Sequence, residues 1–378
     1  MELLGGRLNL RSLLLAGTCL LLACATRFQL KPEYRGTGET YWGSFRNNLA
    51  NTGSVDKDYP PPSQLLWRFK AGGTITSAPL LRGNFVIFAT TEKKLYLVDS
   101  RSGMKIKHFS LPGAVSTTPL LYGDILYFGI GRKEKLYAFN YVTGIILWES
   151  KIGEISSPPV VTGDKLLVGT TQGNFLCLDR LTGRELWKFK ATAAIRSAPA
   201  VAEEQMYFGS LDGYLYCLNL ERGELAWKFK TKGANHSSPV ATQNAVFLGL
   251  TEGTLHSVSQ GGKELWQFKT GGAIYSTACT DSIRIYFGSN DGYLYCLDQK
   301  SGKLLWKFQA GSLIHSSPIL VGKWICFGSF DRNFYVLDRD KGTAVFTYQT
   351  QGILSGSPSF GEGKYYLGGD DKYLYCFK

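Results

Sequence analysis

The chain is poor in the residues and motifs on which most catalytic chemistry depends. Histidine occurs four times in 378 residues, as His108, His236, His256 and His315. There is no Gly-x-x-x-x-Gly-Lys-Ser/Thr loop, no His-Glu-x-x-His and no Gly-x-Ser-x-Gly, so the phosphate-cradling, zinc-peptidase and nucleophile-elbow chemistries built on them are excluded. Cysteine is present but never as an adjacent pair. Charged residues make up only 19%, against 13% aromatics and 44 glycines, which argues against disorder and coiled coil and for many short strands joined by tight turns. The apolar run at 13–23 has eleven residues, fewer than the roughly 20 that cross a bilayer as a helix.

What the chain has in abundance is repetition. A hydroxyl-x-Pro motif recurs as Ser77-Ala78-Pro79, Thr117-Thr118-Pro119, Ser157-Pro158-Pro159, Ser197-Ala198-Pro199, Ser237-Ser238-Pro239 and Ser316-Ser317-Pro318. Ser276-Thr277-Ala278 and Gly356-Ser357-Pro358 each carry one substitution. The anchors at 79, 119, 159, 199, 239, 278, 318 and 358 are spaced by 40 residues, once by 39. Such a period marks an array of identical supersecondary units.

Each unit holds four strand-like runs. The first carries the anchor, and the second ends in an apolar residue and Gly, as at Phe208-Gly209. The third alternates, as in Tyr214-Leu215-Tyr216-Cys217-Leu218, and the fourth ends Trp-x-Phe. Gly-Asp, Asp-Gly and Asp-x-x-x-Gly turns separate them. Four antiparallel strands per unit is the signature of a propeller blade. The first strand, 65–70, has the fourth-strand pattern, and the chain stops at Lys378 just after a third-strand pattern. The expectation is an all-β, eight-bladed propeller over 63–378, with 65–70 supplying the outer strand of the last blade and leaving no open edge.

Two resemblances add to this. There is no Trp-Asp dipeptide, which argues against WD repeats. Asp179-Arg-Leu-Thr-Gly183-Arg-Glu-Leu-Trp187-Lys-Phe189 is similar to the pyrroloquinoline-quinone-type (PQQ-like) repeat, in which the Trp docks between neighbouring blades. That resemblance assigns blade docking to Trp67, Trp148, Trp187, Trp227, Trp266 and Trp306; Lys107 and Phe346 stand at the two other positions. At the N-terminus, Arg7 and Arg11 precede the apolar run, which ends Leu21-Leu22-Ala23-Cys24 and resembles a bacterial lipobox. It implies a signal peptide at 1–23, lipidation of Cys24, and a tether with a short Trp-containing motif (Trp42, Phe45, Arg46, Thr52, Gly53) within 24–62. Ala25 after the Cys implies the outer membrane. Together these resemble the BamB-like outer-membrane assembly lipoproteins. The implied function is a monomeric, non-catalytic scaffold whose partners are periplasmic domains of the barrel-assembly machinery, with no nucleic acid and no cofactor. Two alternatives stay open: a dehydrogenase using the quinone and calcium, and a binder of carbohydrate or cell-wall polymer.

Among candidate site residues, one register stands out. The residue three before each anchor reads Thr76, Ser116, Ser156, Arg196, His236, Tyr275, His315 and Ser355. Four successive blades thus carry Arg196, His236, Tyr275 and His315 at the entry of the innermost strand. This is a candidate polar site at the channel mouth for an anionic or carbonyl-bearing group. Cys177, Cys217, Cys296 and Cys376 share one third-strand position with Leu97, Ala138, Ser257 and Val336, which describes a small buried slot; Cys279 and Cys326 are read as core too. No metal site is expected.

The formal charge is +12, and +11 without residues 1–23. Segments of four residues beginning at the eight Trp-x-Phe positions carry +9 of it, as a belt of outermost strands whose lysines discourage edge-to-edge pairing.

Overall fold

Each repeat folds on itself. In the computed structural model, which describes residues 40–115 and 117–378, consecutive strands pair antiparallel in chain order, as in Val160–Thr162, Lys165–Gly169, Asn174–Asp179 and Glu185–Lys190. Eight such sheets form blades 1 to 8, numbered from the anchors at 79 to 358. The second and third strands are buried on both faces because a neighbouring blade covers each side. The outer strands show the alternating exposure of a half-covered surface. One apolar cluster accordingly joins Leu167 and Phe175 of blade 3 to Met206, Phe208 and Tyr216 of blade 4.

The ring closes through the chain ends. Leu65–Lys70 pairs antiparallel with Tyr373–Phe377, with Trp67 opposite Cys376 and Lys70 opposite Tyr373. The N–H groups of Ser63 and Gln64 both donate to the Lys378 carbonyl at 3.0 Å. The eight blades and their closure stand as the repeat predicted.

The recurring motif has two separate jobs. Its hydroxyl accepts the N–H of the glycine that ends the second strand: Ser157 from Gly169, Ser197 from Gly209, Ser237 from Gly249, Ser276 from Gly288 and Ser316 from Gly328, at 2.6–3.2 Å. The middle residue works between blades. Its N–H donates to the side-chain oxygen of the same position in the next blade: Ala198 to Ser238, Ser238 to Thr277, Thr277 to Ser317 and Ser317 to Ser357, at 2.9–3.1 Å. Ala78 donates to Thr118 at 3.4 Å. This circumferential chain cannot pass through blade 3, where Pro158 has neither N–H nor hydroxyl.

The rim uses Trp and Gly. The indole N–H of Trp67, Trp148, Trp187, Trp227, Trp266 and Trp306 donates to the carbonyls of Ser100, Arg180, Leu220, Gln260, Gln299 and Arg339, each in the next blade, at 2.8–3.2 Å. The ring lies flat on a turn glycine. At Gly223, φ is +68° and an added Cβ would sit 2.4 Å from the Trp187 ring, so both backbone and space require glycine.

Candidate functional site

An inner strand at the hub of a propeller has one unpaired edge, and its buried N–H and C=O groups need partners. Here the chain supplies them itself. Residues 40–60 run once around the hub in blade order. Thr40–Trp42 pairs antiparallel with Leu80–Arg82 of blade 1, and Ser54–Val55 pairs parallel with Ile319–Val321 of blade 7. Between them, N–H groups two residues past each anchor donate to this segment: Leu121 to Gly43, Val201 to Leu49, Ala241 to Ala50, Thr280 to Thr52 and Leu320 to Gly53, at 2.6–3.1 Å. The sequence reading set this Trp-containing motif ahead of the propeller; in the structure it fills the hub.

Two side chains complete the plug. Asn51 donates to the carbonyls of Pro199 and Pro239 at 3.1 Å each. Arg46, with no exposed surface, donates to those of Ala278 at 3.0 Å and Pro318 at 2.7 Å. Burial pulls its guanidinium down to about 10, and among the described residues no carboxylate pairs with it; the anchor carbonyls solvate the charge instead. Prolines suit these anchors because their carbonyls face the axis and no N–H is needed there.

The plug occupies the downstream ends of the inner strands, so the residues three before each anchor lie at the other end. There the structure brings three of the four candidates into contact. The rings of His236 and Tyr275 are 5.4 Å apart, and those of Tyr275 and His315 are 4.9 Å apart. Arg196 is exposed on the blade before, close enough to act on His236: burial first, and then the Arg196 charge, hold that imidazole below the ordinary histidine value. Burial does the same to His315, whose Nε2 is enclosed without a hydrogen bond. Ser116 lies outside the described residues, as does Cys24.

Sequence reasoning missed two members of this arc. The Phe330 ring packs tilted against His315 with centroids 4.6 Å apart, and Asp370 accepts from Ser355 at 3.0 Å. Both sit twelve residues past an anchor, in a register that reads Thr91, Gly131, Thr171, Leu211, Thr251, Asn290, Phe330, Asp370. Phe330 is the only aromatic in it, a signal that was there to find. The arc thus runs from a cation on blade 4, through four rings, to a half-buried carboxyl on blade 8 whose pKa burial raises.

The six described cysteines are free and buried. Burial pushes the thiols of Cys177, Cys217, Cys279 and Cys376 up to about 12, so they are apolar packing groups rather than nucleophiles.

A family model described as the β-propeller of the β-alanine-activating enzyme matches residues 122–378, and one described as outer membrane protein assembly factor BamB matches 51–154. The chain belongs to the PQQ-like β-propeller family. Among solved structures it is similar to BamB from Moraxella catarrhalis, at 17% identity over 83% of this chain and 99% of that one, with a TM-score of 0.70. It is similar to the computationally designed protein Ika8, at 16% identity over 83% and 99%, with a TM-score of 0.75. It is also similar to quinohemoprotein alcohol dehydrogenase from Comamonas testosteroni, at 12% identity over 89% and 80%, with a TM-score of 0.74. At such identities the likeness is one of fold. No curated protein matches the chain in sequence.

Because this PQQ-like propeller shares its fold with quinone enzymes, its axis was tested for fit to a quinone and a calcium ion. Among the described residues, no group of three or more His, Cys, Asp or Glu is arranged to hold a metal ion. Asp212, Asp291, Asp331 and Asp371 are engaged by Tyr216, Tyr295, Tyr335 and Tyr375 and by loop N–H groups. At the plugged end the hub holds the Arg46 guanidinium, whose positive charge opposes a calcium ion, and Asn51, whose amide nitrogen is spent on the anchor carbonyls. The plugged end does not fit that pair. Among the described residues, no helix is long and apolar enough to cross a membrane.

Proposed function

We propose that the protein is a non-catalytic, protein-binding scaffold, lipid-anchored through Cys24 at the periplasmic face of an outer membrane, that assists β-barrel assembly. The observation that carries this reading is the one-sided hub. One end is filled by the chain's own backbone, while the other presents Arg196, His236, Tyr275, His315 and Phe330 as a contiguous arc over blades 4 to 7. An exposed cation beside a partly buried row of aromatic rings is the composition of a protein-binding hot spot. The match of residues 51–154 to the BamB family model supports the barrel-assembly role.

The test is an affinity pull-down from solubilised outer membrane. Wild-type protein retains the barrel-assembly machinery, and Arg196→Glu with Tyr275→Ala loses it while the thermal midpoint holds. Failure of the wild type to retain it overturns the reading. A second reading, a binder of cell-wall polymer, is favoured by the exposed ring of Tyr275 between His236 and His315, since sugar rings stack on aromatic faces. Co-sedimentation with insoluble cell wall, abolished by Tyr275→Ala, separates it from the first.

A further inference from the structure

Blade 3 is treated differently from the rest of the hub. Carbonyls of the plug accept N–H groups from the inner strands of blades 2, 4, 5, 6 and 7, and the plug forms a ladder on blade 1. On blade 8, Phe360 is covered by Tyr59, with ring centroids 4.7 Å apart. At blade 3 the backbone of 44–48 forms a turn, with Asn47 at φ +68°, that accepts no main-chain bond from the inner strand among the described residues, and such bonds resume at Leu49. Val161 holds the register of Leu121, Val201, Ala241, Thr280 and Leu320, opposite Leu166 as Val201 is opposite Met206. Its N–H therefore faces the hub as theirs do, and no hydrogen bond from it is found among the described residues.

In front of that edge is a cavity of about 480 Å³, open at the plugged end. It is lined by Ser44, Asn47, Leu49, Leu121, Tyr122 and Val160 among others, and by no charged side chain. The other two large clefts on that end differ: one carries Glu203 and Glu204, the other Asp56, Asp281, Arg284, Arg339 and Asp340. The circumferential hydrogen-bond chain also lapses here, at Pro158.

We propose that this slot is a second docking site, which takes an extended, uncharged segment of a partner protein as an added strand along Val160–Thr162. The equivalent edges show what fits such an edge, because main-chain carbonyls of this same chain already meet those of blades 2, 4, 5, 6 and 7, and the chain lies as a strand along blades 1 and 7. The site is the gap in that established interface, and main-chain pairing would give affinity while the uncharged walls select the side chains. A charged segment would be desolvated against neutral walls and is rejected. The inference rests on the scaffold reading only in taking the ligand to be protein. Its site is at the opposite end from the Arg196 arc, so either can fail alone.

The experiment is selection of a displayed library of random nonapeptides on the full propeller, with the selected peptides then measured on two variants. Val161→Pro removes one unpaired N–H and breaks no internal bond. Ser44→Trp fills the slot from a position whose side chain makes no hydrogen bond in the described structure. Selected peptides are expected to be uncharged, to slow exchange of the Val161 amide on binding, and to lose about tenfold or more in affinity on each variant. If Val161→Pro fails to fold, Ser44→Trp carries the comparison. No enrichment on the wild type, charged selected sequences, or equal binding to wild type and Ser44→Trp overturns the proposal.

Discussion

The guanidinium of Arg46 donates to the carbonyl of Pro318 across 2.7 Å, joining residues 272 apart in sequence at the centre of the ring. A second bond from the same nitrogen reaches Ala278, so one side chain ties the plug to blades 6 and 7. Arg46→Met keeps most of the volume and removes the donors, leaving two buried carbonyls unpaired. The expected loss is about 2–6 kcal/mol, from about 1–3 kcal/mol for each unsatisfied group. Urea unfolding measures it, and limited proteolysis within 40–60 reports release of the plug. An unchanged midpoint with an uncut plug would show that the hub does not depend on this residue.

Two glycines with the same backbone twist should respond differently to alanine. Gly223 (φ +68°) has the Trp187 ring 2.4 Å from a new Cβ, whereas Gly123 (φ +58°) has nothing within 4 Å. Gly123→Ala should cost only the left-handed penalty, about 1–2 kcal/mol. Gly223→Ala adds overpacking against the indole, about 1–3 kcal/mol more. Equal thermal shifts for the two would mean that the Trp-on-Gly contact yields without strain.

The arc should make stability depend on pH. His236 and His315 are held below the ordinary histidine value by burial, with Arg196 adding to the effect at His236. In the range between their folded values and about 6.5 the unfolded chain binds more protons, so stability falls as pH falls. Their contribution is complete above about pH 6.5 and is lost on acidification through the lowered folded values. The double variant His236→Ala with His315→Ala should show a flatter fall in thermal midpoint over that window with the fold intact. A fall as steep as the wild type's would place the acid sensitivity elsewhere. The same variant should weaken whatever anionic or carbonyl-bearing group the arc holds, read as lost retention of the partner.

The thiols should be silent in the native state. All six described cysteines are buried, and burial favours their neutral form. A thiol reagent at pH 8 should label none of Cys177, Cys217, Cys279, Cys296, Cys326 and Cys376 until denaturant is added. Rapid native labelling at Cys279, beside the Arg46 guanidinium, would show that the charge generates a thiolate there.

Much of the blade architecture was legible before any coordinates. Gly183 donates to Asp179 four residues away, and Gly209 pairs with Ser197 only twelve residues away. Contacts that short in sequence recur at every period and leave a visible pattern. The arc was half legible: three residues before the anchor found Arg196, His236, Tyr275 and His315, but the turn that adds Phe330 belongs to another register. The plug was hardly legible. Trp42, Arg46 and Gly53 stood out as a motif, yet nothing in the residues says where it binds. Its partners are backbone carbonyls and N–H groups 39 to 272 positions away, identical in every residue type.

The positive charge shows the same division. Arg68, Lys188, Lys228 and Lys307 are exposed on outer strands, as the +9 carried by those segments implied. The sequence by itself determined the repeat, the eight blades, their closure by Leu65–Lys70 and this basic rim, because each follows from local pairing and from alternation along a strand. Only the tertiary structure decided that one end of the hub is filled by residues 40–60, that the other presents an aromatic arc, and that among the described residues the inner edge of blade 3 gains no main-chain bond from that segment while those of blades 1, 2 and 4 to 7 do. Those facts depend on how main-chain groups far apart in sequence meet at one axis, and main-chain groups carry no sequence signature.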